Sequence, residues 1–211
     1  MKENKSIWFL GGIFFLLVLM ICGCSKSPQS LKPKNYINWL RKPENGLNKT
    51  KTINDLAFTM CYRTNEDVVV LNNKREEITK QLLEQELNDL GNELQYATFK
   101  IARDNSNQSV LQVGNVSGDV YTKRIAYMSF DMQNDFYLIE GNDTLDCQLF
   151  HFVRNYELAP YVEFSLGFEN SKNKIIQDKT FVYEDKLFNT GILKFTIDSK
   201  DIKQIPSVQV Y

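Results

Sequence analysis

The residues able to do chemistry in this 211-residue chain are one histidine, four cysteines, a large set of carboxylates and a serine flanked by glycines. The histidine, His151, lies between Phe150 and Phe152, and on a strand it would share a face with Leu149 and Cys147. A nucleophile relay needs a base within hydrogen-bond reach that a third group orients. A lone His between phenylalanines has no such company and reads as structural or surface. In Gly-Asn-Val-Ser-Gly, Gly114 to Gly118, the serine falls one place late for a nucleophile elbow. Glycoside cleavage would need a selected pair of carboxylates, and no motif selects one. Glu140 to Asp146 gathers oxygen ligands without calcium-loop spacing, and a hairpin turn accounts for it. The sequence therefore names no catalytic residue, no metal site and no cofactor.

The cysteines say more. Cys22 and Cys24 flank Gly23 at the end of an uncharged run from Ile7, with Lys2 and Lys5 in front of it. As a metal or redox pair they would need a second Cys or His cluster nearby, and Cys61, Cys147 and His151 are far along the chain. A membrane span wants roughly 20 apolar residues, so the run is borderline short. A charged start followed by an apolar stretch is instead the layout of an export signal.

Leu19-Met20-Ile21-Cys22-Gly23-Cys24 resembles a bacterial lipobox, with apolar residues ahead of small Gly23 and Cys24 as the acceptor. Cys22 stands where that family prefers a small residue. The resemblance implies that Cys24 takes a diacylglyceryl group, that the chain is cut before it and that the new amine is acylated. Each buried methylene contributes about 0.8 kcal/mol, so several acyl chains make a durable anchor. The alternative is an uncleaved signal anchor. The resemblance divides the chain into a signal peptide over residues 1–23, a lipidated tether over 24–34 rich in Ser, Lys and Pro, and one domain over 35–211. Ser25 is not the Asp that retains many such lipoproteins in the inner membrane, so the resemblance points to the outer membrane. After the cut, 25 basic residues become 23 and 26 acidic become 25, a net charge of −2 that gives nucleic acid nothing to hold. Export would also permit a disulfide between Cys61 and Cys147; two buried free thiols are the alternative.

The elements that must position these residues are mostly strands. Fourteen Phe and ten Tyr, with Val and Ile common, favour sheet. Tyr36, Trp39 and Leu40 have helical spacing before Pro43-Glu44-Asn45-Gly46, which stops the helix. Asn54-Asp55 and Gly141-Asn142 each read as the centre of a tight hairpin. Strands are expected at 47–53, 56–63, 68–71, 93–102, 110–113, 121–130, 136–140, 145–153, 161–168, 180–183 and 192–197. One long helix is expected over Lys74 to Leu90, with Asn73 and Glu76 as a capping box and Gly91 beyond its end. Its apolar half is interrupted by Thr79 and Glu86, so it should pack on a sheet edge or end. The expected fold is mainly β, an antiparallel β-sandwich or strongly curved sheet with one long α-helix.

The expected function is that of a lipid-anchored envelope protein, a non-catalytic module that binds another protein or supports an assembly. The architecture is similar to that of many small Gram-negative envelope lipoproteins. The alternative is a glycan-binding or glycan-cleaving accessory protein, for which Tyr36, Trp39, Tyr121, Tyr127, Tyr156, Tyr161 and Tyr183 could supply stacking platforms. An open row of aromatics near two carboxylates would favour glycan, and a flat apolar patch would favour a protein partner.

Overall fold

The structure, a computed structural model, describes residues 29–73, 77–104, 106, 108–114, 117–154, 159–171 and 175–211. Cys22, Cys24, the expected cleavage point and Tyr156 lie outside them. In chain order the elements are β1 (Ser30–Leu31), α1 (Pro33–Arg41), β2 (Asn48–Ile53), β3 (Leu56–Arg63), α2 (Asn65–Asn73), α3 (Lys80–Leu90), β4 (Leu94–Arg103), α4 (Gly118–Phe130), β5 (Phe136–Glu140), β6 (Asp143–Val153), β7 (Tyr161–Glu169), β8 (Lys179–Asp185), β9 (Gly191–Ile197), α5 (Ser199–Ile202) and β10 (Ser207–Val208).

Eight strands form one antiparallel sheet in the order β2-β3-β4-β7-β6-β5-β8-β9. The outer strands β2 and β9 come together, so the sheet is a nearly closed barrel. Side chains bridge that seam: Lys49 Nζ lies 3.9 Å from Asp198, and Lys51 Nζ sits 6.0 Å from the centre of the Phe195 ring. Of the two expected architectures the curved sheet is present and the sandwich is not. The reason lies in β6, whose first residues pair with β5 and whose later ones pair with β7. A strand that belongs to both halves joins them at a corner.

A bulge at Gln148 makes that corner. It also changes which way the strand's side chains face. Cys147 pairs with Phe168 and points inward, whereas Leu149 and His151 point outward and Phe150 and Phe152 inward. The expected common face of Cys147, Leu149 and His151 is broken because one extra residue shifts the alternation by one.

Alternation elsewhere holds as expected. Leu56, Phe58 and Met60 on β3, Val162, Phe164, Leu166 and Phe168 on β7, and Leu193, Phe195 and Ile197 on β9 are all buried. Inward rings fill the barrel: Phe99 lies 5.1 Å from Phe136 and 5.0 Å from Tyr183, and Phe150 lies 5.4 Å from Phe164. Both hairpins turn as read, with Asn54 at φ +57° and Gly141 at φ +62°.

The helix expected at Tyr36 to Leu40 is present as α1, but the other helices depart further from expectation, four more being present among the described residues where one long one was foreseen. Val68 to Leu71 lie in α2, not on a strand. Thr64 Oγ1 accepts from the backbone N–H of Asp67 at 3.0 Å, so the capping spacing that matters is Thr64 to Asp67. Asn73 ends α2, and α3 begins later than expected, where Thr79 Oγ1 accepts from Leu82 N–H at 3.3 Å; Glu76 lies outside the described residues. Tyr121 to Phe130 form α4, and Val110 to Gln112 a 3-10 turn, where strands were expected. Tyr121, Ile125 and Met128 pack toward the core, at helical spacing that a search for aromatic strands passes over.

The fold also starts earlier than residue 35. Ser30 and Leu31 pair in parallel with Ser207 and Val208, and Pro33 opens α1, so the second half of the expected tether is structured.

Candidate functional site

The two ends of the barrel are built differently. At one end the last residues of β3, β5 and β7, the first of β4 and β8, and Gln148 of β6 line a cleft of about 960 Å³, with Tyr62, Glu93, Leu94, Glu140, Glu169, Asn170, Ile176, Lys179 and Ile202 among its walls. A second lobe of about 580 Å³ shares Tyr62, Leu94, Asn170, Lys179 and Ile202 with the first. It continues past Leu83 and Leu87 of α3 to Ile205, Pro206, Ser207 and Val208. The two hollows adjoin along these shared residues, with α3 on a barrel end as its helical pattern implied.

Three polar side chains form its floor: Gln95, Glu140 and Lys179 are 5%, 4% and 7% exposed. Lys179 Nζ donates to Glu140 Oε1 at 2.5 Å and to Gln95 Oε1 at 2.7 Å. Gln95 Nε2 donates to Glu140 Oε2 at 3.0 Å and to the Glu169 carbonyl at 3.2 Å. The backbone places them by register, because Glu140 and Lys179 are direct partners across β5 and β8. An ammonium has three donors, and the third has no oxygen partner among the described residues. Tyr62 lies over this ammonium, 6.0 Å from Nζ to the ring centre. Burial pushes the Tyr62 hydroxyl up to about 12, with Glu140 and Glu66 adding to the effect, so it is a neutral phenol at ordinary pH.

Sequence reasoning did not single out this trio. Glu140 and Lys179 sit at strand ends where charged residues usually meet solvent, and Gln95 interrupts an otherwise apolar face of β4. That last feature was the available signal, since a polar residue in an inward position needs a partner.

The residues that sequence analysis named are distributed elsewhere. Tyr36 is 1% exposed and its hydroxyl pairs with Thr64 Oγ1 at 2.7 Å; Trp39 is half-buried against the core. Tyr183 is fully buried and bonded to Asp185, Tyr127 bonds Asp135, and Tyr161 lies under Lys100. No open row of aromatic rings is present among the described residues.

Cys61 and Cys147 are free thiols. Cys61 shares the outward row of Thr98, Ser165 and His151, whereas Cys147 points into the barrel. Opposite faces and three strand spacings, about 14 Å at some 4.8 Å each, keep the export-permitted bridge from forming in this fold. Burial raises both thiols, Cys61 to about 11 and Cys147 to about 12, so both are protonated and unreactive at neutral pH. His151 is exposed on the outer face of β6, away from the cleft.

Compared with known protein families, curated proteins and solved structures, the chain matches none.

Proposed function

We propose that this is a lipid-anchored cell-envelope lipoprotein, held in the outer membrane by acyl chains on Cys24, whose barrel is a non-catalytic binding module for another envelope protein. The observation that carries the binding role is the cleft with its buried polar floor, set at the end of the barrel where the chain enters the fold. Ser207 and Val208 line the cleft, and these residues pair with Ser30 and Leu31. Four residues separate Cys24 from Gln29, a reach of at most about 18 Å over five steps, so an anchor at Cys24 would keep the cleft close to the bilayer. Tyr36 and Tyr183 are buried, and half-buried Tyr127 has its hydroxyl held by Asp135, so the glycan alternative has less support than a protein partner.

Two experiments test the reading. Cys24→Ser should abolish metabolic labelling by an alkyne fatty acid and leave an uncut precursor, and Cys22→Ala should do neither. Mass measurement that finds Ile7 to Gly23 still joined to an unmodified Cys24 overturns the anchoring. A photo-crosslinking residue at Ile202, inside the cleft, should trap a partner in intact cells, and one at His151 on the outer face should not. Trapping from His151 alone would move the binding surface off the cleft.

A further inference from the structure

We infer that the cleft takes an extended, basic segment of the partner protein and sets an uncharged amide of that segment against the Lys179–Glu140 floor. This rests on the cleft being the binding surface proposed above, and it adds the chemistry of what binds there.

The floor selects for a neutral group. Lys179 and Glu140 are both more than nine-tenths buried and already compensate each other's charge. A ligand charge brought against them would stand unpaired where solvent screens poorly. What the floor still offers is one ammonium N–H without an oxygen partner among the described residues, together with unused lone pairs on the Glu140 carboxylate. A backbone amide, or the side chain of Asn or Gln, brings an acceptor and a donor side by side and satisfies both.

The rim selects for cations. The two basic residues of the cleft are each committed, Lys179 to Glu140 and Arg63 to Asp67. Glu66, Glu93 and Glu169 also line it and have no ion pair among the described residues, so its potential is negative. The shape selects for a chain. Two adjoining hollows at the barrel end, with Leu94 and Ile202 common to both and Leu83 and Leu87 along the second, suit an extended segment better than a compact molecule.

The test uses the acylated protein in phosphatidylcholine nanodiscs and fluorescence anisotropy of a labelled pentapeptide, Lys-Asn-Lys-Asn-Lys, blocked at both ends. Saturable binding is expected, with the Glu-Asn-Glu-Asn-Glu counterpart at least about tenfold weaker. Glu93→Gln with Glu169→Gln should weaken the basic peptide several-fold without changing the melting temperature, since both side chains are exposed. Replacing the floor as a pair, Lys179→Met with Glu140→Leu, should weaken it about tenfold in a protein that still melts cooperatively. Equal binding of the acidic peptide, displacement of the basic peptide by a neutral trisaccharide, or no saturable binding overturns the inference. If the peptide fails while a crosslinker at Ile202 still traps a partner in cells, the peptide chemistry falls and the binding module stands. If the crosslinker traps nothing either, the proposed function falls with it.

Discussion

Both ends of the barrel bury charged side chains, yet only one leaves them facing space. At the closed end Asp185 Oδ1 accepts from Tyr183 Oη at 3.1 Å and from the N–H groups of Leu187 and Phe188, while Oδ2 accepts from Thr190 N–H at 2.8 Å and Thr190 Oγ1 at 2.7 Å. That carboxylate ties the β8–β9 turn and has nothing left to offer a ligand. Asp135, 1% exposed, is held by Tyr127 and Lys186. Arg124 closes the same end, donating to the carbonyls of Leu111 and Val113 at 2.9 and 2.7 Å and lying 5.5 Å from the centre of the Phe188 ring. Saturated polar groups under a lid of loops and α4 are structural. At the cleft end the ion pair compensates its own charge but leaves one ammonium N–H without an oxygen partner among the described residues, facing an open hollow. Burying an ion pair contributes little net stability, which supports the recognition role proposed for this end.

Substitutions can break this contrast. The largest loss of stability is expected from Lys179→Met alone, about 3–5 kcal/mol, because it strands the Glu140 carboxylate in the barrel; adding Glu140→Leu should recover most of it. Urea denaturation of the single and double variants checks this, and an unrecovered double variant would make the pair structural like its counterpart at the closed end. Asp185→Ala comes next, at about 3 kcal/mol, since it leaves the N–H groups of Leu187, Phe188 and Thr190 without their acceptor. It should lower the melting temperature without altering what the cleft binds. Tyr127→Phe removes one hydrogen bond to a carboxylate and should cost about 2 kcal/mol.

The smallest effects are those of pH and thiol chemistry. A thiol whose folded pKa is raised adds stability that is complete below its unfolded value near 9 and is lost as pH climbs through the folded value. The contribution of Cys61 should therefore fade between about pH 9 and 11, and that of Cys147 up to about pH 12. Denaturation midpoints at pH 8 and pH 11 check the sign. At pH 8 iodoacetamide should modify native Cys61 about a hundredfold more slowly than an ordinary thiol and Cys147 more slowly still. Both should react at once in denaturant. A bridged pair that reacts only after reduction would contradict the opposite-facing placement.

How legible each element was depended on whether its cause was local. The burial of Tyr36 was not legible because a tyrosine at helical spacing looks the same whether its hydroxyl meets water or Thr64. The strand expected at Val68 to Leu71 failed because three consecutive valines satisfy a buried helix as well as a buried strand. Thr64 and Asp67, the capping pair that decides between them, stood just upstream. The trio of Gln95, Glu140 and Lys179 comes together over 84 residues of sequence, and no spacing rule joins them.

By itself the sequence determined what nearest neighbours determine. Alternating apolar residues set the inward faces of β3, β7 and β9, and Asn54 and Gly141, able to adopt positive φ, set the two hairpins. Pro43 to Gly46 ended α1. Only the tertiary structure decided how the strands close and what lies at the ends. The order that puts β7 beside β4 and β5 beside β8 depends on contacts far apart in the chain, and a single extra residue at Gln148 turns β6 from one half of the sheet into the other. Strand faces follow from the period of the backbone, which every residue repeats. The cleft follows from which strand ends meet, and that depends on the free energy of packing the whole barrel core.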